Sequence, residues 1–346
     1  MPDKTIVMSD LHVSNGAAYS WCIPQTLKQI CDMLQRVATD NDVGELVFLG
    51  DLIDMWLYPL DVVPLTASGI WALDANRDFV RAIRRCVENK EVYYLPGNHD
   101  MGVTEAELMP LSSGGKSIHL IHMEDYRKLH PERHLEHGHA VDMFNAVPTA
   151  SEDTIGGLPL GFFITRLVAT SHDHENSRRA LHDVLSAHAL KLRAAEFDDR
   201  DMLGQLLVTV IVDALSLKAK VNDAARIRFS DPDLDGRNIV VGDIKRHYGD
   251  LLSTWHAKLH DTEAVIESML TAVRDDGLDW YAKELEKSPH PPKLIVFGHT
   301  HHSETESPYL NDGCWCRQQG QSYVEITPGS ASVIPWASVS TTADEH

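Results

Sequence analysis

The chain of 346 residues is short of positive charge. Its 31 lysines and arginines face 51 aspartates and glutamates, for a formal net charge of −20. A broad surface for a nucleic-acid backbone needs the opposite balance, and no run of Lys and Arg is long enough to form a local basic groove. Cysteine is also scarce. The five residues Cys22, Cys31, Cys86, Cys314 and Cys316 are odd in number and scattered, which argues against a disulfide framework and predicts reduced thiols in the cytoplasm. Long apolar runs are missing. The most apolar stretch, Leu203–Leu217, is too short to span a bilayer and contains Asp213. No apolar leader core precedes Lys4–Met8, which predicts no secretion signal. The remainder is an acidic chain able to bury a full core, as one large domain or one domain with a substantial insertion.

Against these absences stand five short motifs in order: Asp10-Leu11-His12, Gly50-Asp51-Leu52-Ile53-Asp54, Gly97-Asn98-His99-Asp100, His137-Gly138-His139 and Gly298-His299-Thr300-His301. They supply carboxylate, amide and imidazole groups and no thiolate. That mixture suits two adjacent borderline divalent cations such as Mn, Fe, Zn or Ni. Hydrolysis of a phosphate ester needs a hydroxide, a clamp on the phosphoryl oxygens and help for the leaving group. Two cations roughly 3.5–4 Å apart can acidify a bridging water and stabilise an in-line displacement. Any one motif alone reads as an ordinary turn; the ordered set carries the signal.

The set resembles the calcineurin-like metallophosphoesterase superfamily. The resemblance implies a two-sheet α/β sandwich flanked by helices and a pair of divalent cations, with manganese the first expectation. It implies that Asp10, His12 and His301 bind the first cation, that Asp51 bridges, and that Asn98, His137 and His299 bind the second. His137 is preferred over His139, two residues on, because such segments in the superfamily use the first histidine. His99 matches the histidine that touches phosphate and protonates the leaving oxygen, with Asp54 behind it as its orienting partner. Asn98, His99, Thr300 and His139 are the expected substrate contacts. Asp142 and Asn145 are candidates to support the ligands or line the pocket.

Organisation along the chain supports this reading. The β-rich runs Thr5–Met8, Glu45–Leu49, Val92–Leu95 and Leu294–Phe297 each lead into a motif, and open α/β sheets place their sites at the carboxyl ends of strands. Helical periodicity covers Pro24–Ala38 and Asn76–Val87. Ser117–His122 and Arg133–His137 are expected in the second sheet, and Ser322–Ile326 as a strand before a Pro-Gly turn. The expected catalytic domain spans 1–147 and 293–337, with 338–346 as a frayed tail. Residues 148–292 form an inserted helical cap, with helices expected at Ser177–Ala195, Asp199–Lys220, Arg246–Leu259 and Thr262–Lys287 and a turn-rich hinge at Asp231–Gly236. Within it, His172-Asp173-His174-Glu175 reads as the polar start of a helix and not as a metal cluster. Arg166 and Arg178-Arg179 are the cap residues best suited to reach a phosphate. Cys314-Trp315-Cys316 reads as a loop close to the last motif.

The expected function is hydrolysis of a small phosphoric ester, a monoester or diester, by a dinuclear metal centre through a bridging hydroxide. Met55 stands where the superfamily's protein phosphatases carry Arg, which disfavours a phosphoprotein substrate. Gly50–Trp56 looks like the bacterial UDP-2,3-diacylglucosamine hydrolase branch, a pyrophosphate hydrolase that commonly carries Arg where this chain has His99. That activity, a nucleotide phosphodiesterase and a catalytically silent scaffold are the alternatives.

Overall fold

Alternation along three runs sets the architecture. Strands β1 (Lys4–Met8), β2 (Val43–Leu49) and β3 (Glu91–Leu95) turn successive side chains to opposite faces. The computed structural model describes residues 3–149, 154–194, 200–274, 276–305, 309–316 and 320–336, and in it both faces are covered. Ile6, Met8, Leu46, Phe48, Val92 and Tyr94 share one core with the buried stripes of α1 (Pro24–Thr39), α2 (Ala67–Trp71) and α3 (Arg77–Asn89). α1 opens on Pro24, whose missing N–H costs nothing in a first turn. α3 turns Phe79, Ala82, Ile83, Cys86 and Val87 inward at helical spacing.

The chain continues through α4 (Glu105–Leu108), β4 (His119–Leu120), α5 (Met123–Leu129) and β5 (Arg133–Leu135). After the helical segment come β6 (Leu294–Phe297), β7 (Ser303–Glu304), β8 (Tyr309–Asp312), β9 (Ser322–Thr327) and β10 (Ser330–Pro335). One sheet has the order β10-β9-β1-β2-β3-β4 and the other β5-β6-β8-β7. β1 to β4 run parallel, β9 and β10 antiparallel, and β5, β6 and β8 parallel. Val7, Val47, Leu49 and Leu95 of the first sheet meet Leu135, Val296 and Leu310 of the second in the inner core. The fold is therefore the expected two-sheet sandwich between helices. One expectation is corrected. The run from Ser117 yields only His119–Leu120, and it pairs with Tyr93 and Tyr94 at the edge of the first sheet, not in the second.

The intervening segment holds α6 (Leu160–Ser171), α7 (His174–Ala194), α8 (Arg200–Ala219), α9 (Pro232–Gly236), α10 (Val241–His247), α11 (Leu251–Leu259), α12 (Thr262–Leu270) and α13 (Asp279–Glu286). Two expected helices are each broken in two. α10 and α11 are separated at Tyr248–Asp250, around Gly249. After α12 the backbone doubles back so closely that a Cβ on Gly277 would lie 2.9 Å from Thr271 Cα. The expected hinge at Asp231–Gly236 forms the one-turn helix α9, capped by Asp231, whose side chain accepts from the amides of Asp233 and Leu234. The helices form their own core, which takes in Trp56, Leu60, Met143 and Phe144 from the loops of the sandwich. α13 instead covers Ile295, Phe297 and Tyr309 on the outside of the second sheet. The expected tail lies outside the described residues.

Arg166 does not reach for a phosphate. It is fully buried and donates to the carbonyls of Pro59 at 2.7 Å, Val62 at 2.8 Å, Arg228 at 2.9 Å and Leu60 at 3.2 Å. Its guanidinium fastens α6 to the loop after the second motif. Arg166→Met should lower unfolding free energy by roughly 3 kcal/mol, because several buried acceptors lose their donor. Chemical denaturation checks this, and Arg166→Lys should recover part of the loss.

Candidate metal centre

Each motif begins where a parallel strand ends. Asp10, Asp51 and Asn98 follow β1, β2 and β3, while His137 and His299 follow β5 and β6. The two sheets thus deliver their loops to one seam, where Asp10, His12, Asp51, Asp54, Asn98, His99, His137, His299 and Thr300 are all buried. His301 is partly exposed. Asp10, His12, Asp51, His299 and His301 take positive φ between 49° and 70°. Asp and His are among the few side chains that tolerate this region, and it is held only where the surroundings enforce it.

Glycines make the room. A Cβ on Gly50, at φ 87°, would lie 2.5 Å from the His137 ring and 2.8 Å from Gly97 Cα. A Cβ on Gly97 would lie 2.7 Å from Asp51 N and nearer still to its carboxylate.

Most candidate ligands have one polar atom tied to the protein and another turned to the seam. His12 Nδ1 meets Asp54 Oδ2 at 3.2 Å, and its Nε2 lies 3.6 Å from Asp51 Oδ2 and 3.7 Å from Asp10 Oδ1. His137 Nδ1 donates to Leu49 O at 2.8 Å, and its Nε2 lies 3.3 Å from Asp51 Oδ2. Asn98 Nδ2 donates to Asn145 Oδ1 at 3.3 Å. His299 Nε2 meets Asp142 Oδ2 at 2.9 Å, and Asn145 Nδ2 donates to the same oxygen at 2.7 Å. His301 Nε2 lies 3.0 Å from Asp10 Oδ1 and 3.1 Å from His12 Nε2, and its Nδ1 is 3.8 Å from Cys316 Sγ. Asp10 Oδ1, Asn98 Oδ1 and His137 Nε2 are buried with no well-formed hydrogen bond.

These residues fit divalent cations. Asn98 Oδ1 and His137 Nε2 are buried polar atoms that a cation at the seam would satisfy. The charges agree. Burial pushes the Asp10 carboxyl up, yet His301 and His137 outweigh it and hold it well below the usual range. Burial pulls His137 down, but Asp51 and Asp10 carry it up to about 10. The carboxylates and imidazoles thus hold each other ionised, and a metal ion bound here would displace protons from the histidines. Asp10, Asp51 and His137 form one buried group whose ligand atoms lie within 4.8 Å of one another.

The profile of the calcineurin-like phosphoesterase family matches residues 4–208. The chain belongs to this family. Its members are generally metal-dependent phosphoester hydrolases, and the buried His/Asp cluster fits that chemistry. The family match runs past residue 148, into the helical segment. No curated protein matches the sequence.

Other expected residues fall into place unevenly. His99 Nδ1 lies 2.9 Å from Asp54 Oδ1, which also accepts from Trp56 N and Leu57 N. Asp54 therefore orients both His12 and His99. Asn98, His99 and Thr300 line a cleft over the seam. His139 does not; its ring sits 5.5 Å from that of His137, and burial pushes it down to about 3. Arg179 and Glu175 reach the cleft rim, while the side chains of His174 and Arg178 lie outside the described residues.

Some supporting residues went unassigned in the sequence. Asp100 closes the third motif and ties two loops together, accepting from Leu52 N at 2.7 Å, Gly97 N at 2.6 Å and Tyr94 OH. Burial and the charge of Asp51 push it up to about 6. Ser9 Oγ bonds both Asp10 Oδ2 and Asp312 Oδ1. One hydroxyl proton cannot serve two carboxylates, and burial and the charge of Asp10 push the Asp312 carboxyl well above the usual range. Trp21 stands edge-on to His12, with ring centroids 4.6 Å apart. Neither Trp21 nor Asp312 belongs to a recognisable motif.

Gly97→Ala tests the close approach without changing a polar group. The methyl displaces Asp51, so metal affinity should fall at least tenfold with about 1–3 kcal/mol of lost stability. Calorimetric titration with Mn²⁺ and thermal unfolding check the two effects.

Proposed function

We propose that the chain is a dinuclear metal-dependent phosphoric ester hydrolase acting on small substrates. The observation that carries this is the tethering pattern: His12, His137 and His299 each spend one nitrogen on a protein partner, and Asn98 spends its amide nitrogen. That pattern fixes which atom is left to bind a cation. Asp10, His12, Asp51 and His301 would hold one cation. Asp51, Asn98, His137 and His299 would hold the other, His299 through Nδ1 because Asp142 takes Nε2. When bound, the cations, manganese first among the candidates, supply an acidified water and neutralise charge on the phosphoryl oxygens.

The chain's own residues do the rest. Asp51 lies between the two histidine sets and keeps one oxygen on His99 N at 2.8 Å, so it cannot swing away. His99 presents the nitrogen that Asp54 does not take. Its ring is held near Trp56, with centroids 4.8 Å apart, and it lines the cleft beside Asn98. From there it would donate a proton to the leaving oxygen.

Hydrolysis of p-nitrophenyl phosphate and its bis-ester, measured with elemental analysis after Mn²⁺ loading, tests the reading. The expected result is turnover of at least one ester with two metals per chain. Full activity at one metal or fewer would refute the dinuclear assignment, and a metal-loaded protein inert to both esters would refute hydrolysis.

His99→Ala should separate binding from proton transfer. We expect unchanged metal content, a loss of roughly 10²–10⁴-fold on alkyl phosphates, and a smaller loss on p-nitrophenyl esters, whose leaving group needs little protonation. Parallel kcat measurements on both ester types decide it. Equal losses would assign His99 to clamping the phosphoryl oxygens.

A further inference from the structure

The cleft over the seam has a volume of about 770 Å³. That matches the roughly 300–1,000 Å³ of pockets that enclose a whole organic molecule, and it far exceeds a phosphoryl group. Its floor is polar: Asp51, Asn98, His99 and His301. Its wall is built differently. Ile164 and Val168 stand one turn apart on α6 and so share a face, with Leu181 of α7, Phe144 and Val273 beside them. Val168 and Leu181 are only half-buried; one side of each rests on the core of the helical segment, and the cleft lies beyond. Among the described residues lining the cleft, Arg179 is the one Lys or Arg, and it is paired with Glu175 at 3.5 Å. Thr165, Glu175 and His182 also line the cleft, but Ile164, Val168, Leu181, Phe144 and Val273 supply a choice of apolar contacts, and the one arginine is already paired.

We infer that the wall of Ile164, Val168 and Leu181 receives the non-phosphate part of the substrate and that this part is apolar, an alkyl or aryl group. The inference rests on the phosphoester hydrolase reading and adds the substrate class. The phosphoryl group sits on the floor, and the apolar group leaves water along α6 and α7. Each buried methylene is worth a factor of about four in binding, from the transfer free energy of a CH₂ group.

Methyl, butyl, octyl and 2-(naphthyl)ethyl phosphates have leaving alkoxides of similar basicity, so a difference in kcat/KM reports contact with the wall. The Mn²⁺-loaded protein should gain about fourfold per methylene until the wall is covered. The naphthyl ester tells a slot for a flat ring from a groove for a chain. Methyl and octyl phosphonates, which are not hydrolysed, should show the same order in calorimetric affinity. Val168→Asn should lower the octyl-to-methyl ratio about tenfold with metal content unchanged, and Val168→Met should keep it; Leu181→Asn serves if the first variant does not fold. Equal kcat/KM and equal phosphonate affinities across the series would overturn the inference, as would a preference for glycerol phosphate. If no ester is hydrolysed yet octyl phosphonate still binds more tightly than methyl, the hydrolase reading fails and the apolar site stands.

Discussion

One buried carboxylate organises this molecule. Asp51 is 1 % exposed, sits at a positive φ of 52° and lies within 4 Å of His12 and His137. An anion in such a place is costly unless donors and cations surround it. Most of the seam can be read as answers to that demand. His99 N and the flanking glycines hold the carboxylate in place, and the histidines of both sheets bring positive charge or cation ligands. Asp100 ties the second and third motif loops together so that these donors stay in register.

The fold was legible where chemistry and hydrophobicity coincide. β1, β2, β3 and β6 are apolar runs that lead into motifs, and sequence places them within about two residues. β8 has no strand pattern because Asn311 and Asp312 in Tyr309–Asp312 are polar yet fully buried; Gly298, Thr300 and Ser9, all outside the strand, supply most of their partners. The run holding β4 points to the wrong sheet because its two pairing residues hold too little periodicity to choose a neighbour. Arg166 misled for a related reason. Arginine is usually exposed, and only the tertiary structure shows four carbonyls waiting for it. Five motifs told which residues meet, but not how they are held. The resemblance implies Asp54 behind His99, but that Asp54 also holds His12, and that Asn145 links Asn98 to Asp142, are relations between side chains that no spacing encodes.

The helical segment and the sandwich share packed residues and hydrogen bonds, and some of those residues also touch the site. Trp56 packs in the helical core and lies against His99, and Phe144 packs in that core while lining the cleft. Arg166 anchors the loop that follows Asp54. A shift of α6 would therefore be felt by His99 and Phe144 in the cleft, even though no expected ligand lies on that helix. Among the described residues no helix is long and apolar enough to cross a membrane; Ile164 and Val168 of α6 and Leu181 of α7 pack on the helical core and line the cleft.

The order of the ligands along the chain has a consequence for how the protein is made. Asp10 and His299 are 289 positions apart yet share a hydrogen bond. A nascent chain emerging from the ribosome exposes Asp10, His12, Asp51 and Asn98 long before His299 and His301 exist. The seam is therefore complete only when the last motif, carried after β6, has joined the first. Until then Asp10, His12, Asp51 and Asn98 lack the two histidines that complete their cluster in the folded chain.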